Sequence, residues 1–236
     1  MTDRVKSYFS GTVDNLAESK IKSVSLVNAD GMLNQIDVNW YPKAYMDAET
    51  KYNIYIDDST TSVATISQSD IKSDSTVIKA TDYTNQSGVV KDSDSSGKPV
   101  NIGGTHNGDW VEYKDISVSK PITSVTFNYS CDKNANGTIY VYDKSMDSVP
   151  IGSIKITPPT ANAGWGDYVT KTIDLYEPLK EGKHTIYLKF VNDISGNVVN
   201  LKDFTLIGSY GNVKLKNVAA GKHTVTVQAT LNEQVS

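Results

Sequence analysis

The sequence predicts an all-β protein built from two sandwiches, a larger jelly roll and a smaller companion, and three observations predict it. Short runs of alternating apolar and polar residues recur along the chain, as in IDVNW at 36–40 and SVTFNYS at 124–130. That period of two is the signature of half-buried strands. Tyrosine outnumbers phenylalanine 14 to 4, a skew toward amphipathic aromatics that suits sheet surfaces and wet binding sites. Helical periodicity is scarce, and only residues 16–20 suit a short helical turn.

Taken in order, the strands begin near residue 21, with Val24, Leu26 and Asn28 on one face and Ala29-Asp30-Gly31 as the expected turn. Ile36, Val38 and Trp40 share a buried face, and Pro42 closes that strand. Residues 52–56 and 62–66 give two more strands. A polar, serine-rich stretch at 67–76, SQSDIKSDST, marks a boundary. Beyond it, Val125, Phe127 and Tyr129 share a face, and Ile139 and Val141 oppose Tyr140 and Tyr142. Strands at 151–156, 169–175, 184–191 and 198–206 follow. About eight short strands in this part suggest two antiparallel sheets closed as a jelly roll.

Composition narrows the function. With 23 Lys+Arg against 27 Asp+Glu, a net charge of −4 and no basic cluster, the chain has no footprint for nucleic acid or a lipid surface. The single Cys131 excludes an intrachain disulfide and a cysteine-rich metal site. No stretch reaches membrane-spanning length, and residues 1–11 lack the apolar centre of a signal peptide. We expect an excised fragment of a secreted or cell-surface protein, flanked by other domains.

Residues 101–113, NIGGTHNGDWVEY, carry the strongest functional signal. Gly103, Gly104 and Gly108 permit tight backbone, His106, Asn107 and Asp109 offer polar groups, and Trp110 and Tyr113 offer flat apolar faces. A pyranose has apolar C–H faces and a hydroxyl rim, so this mixture suits a sugar. Catalysis is not expected. A glycosidase needs two carboxylates across a cleft, and Glu112 has no evident partner; His106, His184 and His223 do not form a zinc motif.

The first segment resembles a fibronectin type III domain through Trp40 in IDVNW and Tyr52 and Tyr55 in KYNIYID. Its missing later strands reappear as KLKNVAAGKHTVTVQATLN, where Leu215, Gly221, Val225, Val227 and Ala229 fit, with Thr224 in place of the corner tyrosine. The expected organisation is therefore a smaller immunoglobulin/fibronectin III-like sandwich formed by 1–76 and 208–236, interrupted by a jelly roll at 77–207. Plain tandem domains are the alternative.

Residues 77–207 resemble a family 6 carbohydrate-binding module. The carriers are IKATDY (78–83), SGVVKDSD (87–94), NIGGTHNGDWVEYKDI (101–116), GTIYVYDKSMDSVPIGSIKI (137–156), AGWGDYVTKTIDL (163–175), GKHTIYLKF (182–190) and VNLKDFTLIG (199–208), in the family's order. The resemblance implies a lectin-like sandwich that binds polysaccharide without cleaving it, as an accessory of a larger glycoside hydrolase or cell-surface protein. The alternative is a spacer or adhesin whose sugar site has degenerated. The family's edge cleft maps to Trp165, Asn200 and Asp92, while its second aromatic wall falls on Gly104; His106 or Tyr168 offers a replacement surface. The family's other binding face maps to Trp110 and Glu112, with Tyr140 and Tyr142 beside them. Its structural calcium ligands fall on Lys79, Thr81 and Lys202, so no metal or other cofactor is expected. Asp82 or Asp203 is expected to pair with those lysines instead, and Asp92-Ser93-Asp94 is a fainter cation candidate.

Overall fold

The computed structural model describes residues 24–32 (backbone only), 35–42, 48–57, 59–192 and 196–231, so the turn expected at 16–20 lies outside it. The described strands are β1 (Val24–Met32), β2 (Gln35–Pro42), β3 (Lys51–Ile56), β4 (Ala64–Ser67), β5 (Lys72–Lys79), β6 (Asn85–Ser87), β7 (Val90–Ser93) and β8 (Pro99–Gly103), continuing with β9 (Trp110–Val118), β10 (Ile122–Ser130), β11 (Thr138–Asp143), β12 (Gly152–Lys155), β13 (Val169–Leu179), β14 (Gly182–Val191), β15 (Asn200–Lys216) and β16 (Val225–Thr230). The chain divides into two compact units, residues 75–207 and residues 1–74 with 208–236.

In the smaller unit, β2 pairs with β1 and with residues 211–216 of β15, while β3 lies between β4 and β16, all antiparallel. Alternation turns Ile36, Val38 and Trp40 of β2 inward, onto Tyr52, Ile54, Leu215, Val225, Val227 and Ala229. The rings of Trp40 and Tyr52 meet at 5.6 Å and 46°. Gly211 stands opposite Trp40 in the ladder. The indole occupies the space where its side chain would project: a Cβ there would lie 2.2 Å from Trp40 Cε2 and Cζ2.

The larger unit is an antiparallel two-sheet sandwich. One sheet runs β13-β10-β15, with β8 joined to β15 and β7 to β8; the other runs β12-β11-β14-β9-β6. Val125, Phe127 and Tyr129 turn inward from β10, onto Val111 and Tyr113 of β9, Ile139 and Val141 of β11 and Ile186, Leu188 and Phe190 of β14. Phe204 anchors the centre, edge-on to Tyr113 at 5.0 Å and stacked with Phe127 at 6.2 Å. Cys131 is buried in this core.

Two expected strand ends move. The turn expected at Ala29-Asp30-Gly31 is strand, because Ala29, Asp30 and Gly31 pair with Val38, Asp37 and Ile36 and the ladder continues to Met32–Gln35. The strand expected to end at 206 runs on to Lys216, because residues 211–216 find a partner in β2. Turn-forming residues do not break a strand when a neighbour supplies the ladder bonds.

A literal repeat, G-K-H-T at 182–185 and 221–224, makes the same clip once in each unit. His184 Nδ1 lies 3.0 Å from Asp143 Oδ1 and its Nε2 2.9 Å from the Lys180 carbonyl. His223 Nδ1 lies 3.0 Å from Asp57 Oδ2 and its Nε2 2.8 Å from the Ala219 carbonyl. The bond to Asp57, then that to the Ala219 carbonyl, raises the His223 pKa above its ordinary value, and the same contact with the Thr224 N–H lowers that of Asp57. A raised histidine pKa stabilises the fold fully below its unfolded value and loses that contribution as pH rises through the folded value. The depressed carboxylate loses its own as pH falls through its folded value. Melting of His223→Gln against the parent is therefore expected to show a deficit near pH 5–6 that shrinks as pH rises. A deficit independent of pH would contradict the clip.

Candidate functional site

The edge cleft is built where the ends of four strands meet. Asp92 on β7 pairs with Asn101 on β8, Leu201 on β15 pairs with Ile102, and Asn200 pairs with Ser130 on β10. Asn101, itself buried, donates from Nδ2 to Asp92 Oδ2 at 2.7 Å and fixes the carboxylate. Gly103 leaves the gap that Asp92 and Asn200 close over: a Cβ at Gly103 would lie 2.5 Å from Asp92 Oδ2 and 2.7 Å from Asn200 Oδ1. A carboxylate and a primary amide thus converge on one point, an acceptor beside a group that both donates and accepts, which is the set a sugar diol needs.

Aromatic surface stands beside them. Trp165 is 36% exposed and Tyr168 39% exposed. Ser130 Oγ donates to the Trp165 carbonyl at 2.6 Å, tying the tryptophan loop to the strand end that pairs with Asn200. Partial burial raises the Tyr168 pKa and the Asp92 charge adds to this, opposed by a hydrogen bond with Ser130. Ser130, which pairs with Asn200, thus links both Trp165 and Tyr168 to that strand end. Gly104 has φ +61°, and a Cβ there would lie 3.2 Å from Val90 Cγ2, so the backbone itself disfavours an aromatic wall at that position. His106 turns to its own loop: its N–H donates to Asp109 Oδ2 at 2.7 Å, and its Nδ1 lies 3.5 Å from the same oxygen. None of these links joins it to the Asp92–Asn200 pair.

The second candidate face lies on the outer side of the β12-β11-β14-β9-β6 sheet. Register puts Tyr140, Lys189 and Trp110 in one row across β11, β14 and β9, with Tyr142, Tyr187 and Glu112 in the next. All four residues singled out in the sequence therefore share one face. They are not equally open. Tyr142 and Glu112 are buried, Tyr140 and Trp110 are half-buried, and Trp110 packs edge-on against Tyr187 at 6.2 Å. Glu112 accepts from Tyr187 Oη at 2.5 Å and meets Lys114 Nζ at 3.3 Å. Burial alone would raise its pKa, but the bonds from Tyr187 and Lys114 outweigh that and lower it. The Glu112 carboxylate is committed to the fold.

The expected lysine ion pairs do not form. Asp203 accepts from Asn128 Nδ2 at 3.0 Å, Lys202 Nζ lies 5.8 Å from the centre of the Tyr168 ring, and Lys79 and Asp82 are both exposed. The reason is geometric: a register shift beside Asn128 and Tyr129 pairs Asp203 and Leu201 but leaves Lys202 as the extra residue of a bulge. Residues at the calcium positions, Lys79, Thr81 and Lys202, offer two cations and one buried hydroxyl, which do not fit an ion that needs several charged oxygens. Asp94 Oδ1 accepts from Ser96 N, Ser96 Oγ and Lys98 N, a turn closed on itself. Among the described residues, no three His, Cys, Asp or Glu side chains gather as a metal site.

Comparison with known proteins bears on the same segment. An arabinoxylan arabinofuranohydrolase from Paenibacillus polymyxa is 27% identical over 139 residues, 57% of this chain; the chain spans only 21% of that protein. Two of the similar solved structures are carbohydrate-binding modules. A family 6 carbohydrate-binding module from Clostridium cellulolyticum in complex with xylose has 27% identity and a TM-score of 0.48, covering 56% of this chain and 95% of that one. A β-1,3-glucan-binding module from Bacillus halodurans has 23% identity and a TM-score of 0.48, covering 56% and 94%. The description "Carbohydrate binding module (family 6)" matches residues 79–208, more than half of the chain, and the chain belongs to that family.

Proposed function

We propose that the chain binds polysaccharide, without cleaving it, through the edge cleft formed by Asp92, Asn200, Trp165 and Tyr168. The observation that carries this reading is the convergence of Asp92 and Asn200 over Gly103 beside two exposed aromatic rings. Trp165 stacks on a sugar face while the two polar groups take its hydroxyls. Tyr168 supplies aromatic surface that Gly104 does not, while His106 is engaged with Asp109 in its own loop. The sheet face around Trp110, Glu112, Tyr140 and Tyr142 is the lesser candidate, since two of its four members are buried. Xylan and β-1,3-glucan are the first ligands to try, because those two modules are described with xylose and with β-1,3-glucan.

Calcium is not required at Lys79, Thr81 and Lys202. The absence of catalysis is supported by Glu112, whose carboxylate is held by Tyr187, Lys114 and Thr84. The smaller unit acts as an interrupted fibronectin III-like spacer, and the whole serves as an accessory segment of a longer secreted or surface glycoside hydrolase. One experiment tests the binding and the metal together: affinity electrophoresis through xylans, β-glucans, α-glucans and agars, with and without EDTA. Retardation by at least one glycan, unchanged by EDTA and without release of reducing sugar, is expected. Silence across every glycan would overturn binding, and EDTA-sensitive retardation would overturn the metal-free reading.

A further inference from the structure

The edge cleft contains one group that a neutral sugar does not need. Lys202 is exposed, on the strand that carries Asn200, and the bulge releases it from the regular pleat. Among the described residues no carboxylate lies within ion-pairing distance of it. Asp203, the next residue, is taken by Asn128. The Lys202 ammonium stands instead 5.8 Å from the centre of the Tyr168 ring, within cation–π range of an aromatic that is 39% exposed. Asp92 acts on the same tyrosine electrostatically, but its own carboxylate is fixed by Asn101. The cleft thus holds a fixed acceptor and an exposed cation, unpaired with any described carboxylate, around one aromatic ring.

We propose that Lys202 makes this cleft selective for anionic polysaccharide, its ammonium pairing with the carboxylate of a uronosyl residue whose ring lies against the Trp165 and Tyr168 surface. This rests on the edge-cleft reading above. An ammonium prefers a carboxylate to a ring face, because a full charge attracts it more strongly than a quadrupole does. A sugar whose hydroxyls meet Asn200 carries any carboxylate on its own rim, and Lys202, two residues along the same strand, offers it a flexible four-carbon stem. The contact is exposed, so its contribution is modest and sensitive to salt.

The test compares glucuronoxylan and polygalacturonate with their carboxyl-reduced forms, using the parent chain, Lys202→Gln and Lys202→Arg. The parent is expected to bind the uronate polymer roughly fivefold more tightly than its reduced form at low ionic strength. That preference is expected to disappear at about 0.5 M salt. Lys202→Gln is expected to bind both forms equally and to melt like the parent, and Lys202→Arg to keep the preference. Equal binding of both forms by the parent, binding of neutral glycans alone, or a preference that survives in Lys202→Gln would overturn the role of Lys202 and leave the cleft standing. Failure to bind any polymer, charged or neutral, would overturn both.

Discussion

Replacing Trp165 with alanine is expected to weaken polysaccharide binding by about tenfold to a hundredfold while leaving the melting temperature nearly unchanged. The size follows from the loss of a stacking face, worth roughly 1–3 kcal/mol by analogy with bases on aromatics, and every 1.4 kcal/mol is about tenfold in affinity. The fold tolerates the change because the Trp165 side chain is more than a third exposed and the bond that holds its loop uses its backbone carbonyl, which alanine keeps. Trp110→Ala is the matched control. Its ring is half-buried against Tyr187, so that variant is expected to lose some stability and little affinity. The opposite pattern, with Trp110→Ala abolishing binding and Trp165→Ala leaving it intact, would move the ligand to the sheet face. Calorimetric titration with the best glycan of the panel decides between them.

Gly211→Ala is expected to carry a large stability cost in the smaller unit. A methyl group there would lie 2.2 Å from two atoms of a fully buried indole, a separation that nothing can accommodate without moving Trp40 or the strand pair. Overpacking of this kind costs about 1–3 kcal/mol and sometimes more, and in a unit of this size each kcal/mol lowers the melting temperature by about 4–8 °C. Trp40 is poorly placed to yield, since it is fully buried among Tyr52, Ile54 and Val227, and its indole N–H has no hydrogen-bond partner among the described residues. Differential scanning calorimetry reads the result, and a melting temperature within about one degree of the parent would show that Trp40 does not fill that space. If the smaller unit is only a spacer, the variant still binds glycan below its melting point. Loss of binding in the folded variant would contradict that role.

How much of this was legible in the sequence depended on whether the signal was local. Alternation alone put Val125, Phe127 and Tyr129 on one face of their strand, and Ile139 and Val141 on one face of theirs, because strand period is read from neighbouring residues; that these faces turn inward depends on the sheet packed against them. It also put Tyr140 and Tyr142 together on the opposite face, although their different burial depends on what packs beside each. The limits of β1 and β15 were not legible, since Asp30-Gly31 and Gly208 are turn residues unless a partner strand continues the ladder. Asn101 was not singled out. Its role depends on a carboxylate across the β7–β8 hairpin, and the only local trace is its place two residues before Gly103, on the same side of the strand. The G-K-H-T repeat was written in the sequence twice, but its aspartates lie 41 and 166 residues from their histidines.

The cleft is assembled from parts that are remote in the chain. Thr105, two residues past Gly103, bonds through its hydroxyl to Val199, next to Asn200, across 94 residues of sequence. Loop closure over such a span comes late and slowly in folding, after local hairpins have formed. A chain with its first hairpins in place would hold Asp92 and Asn101 but not yet Asn200, and so would have half a recognition surface. Capture on a glycan matrix during refolding would therefore report the arrival of β15 in its sheet. Recovery of binding is expected to lag behind the return of β-sheet signal, so that sugar affinity times the docking of β15.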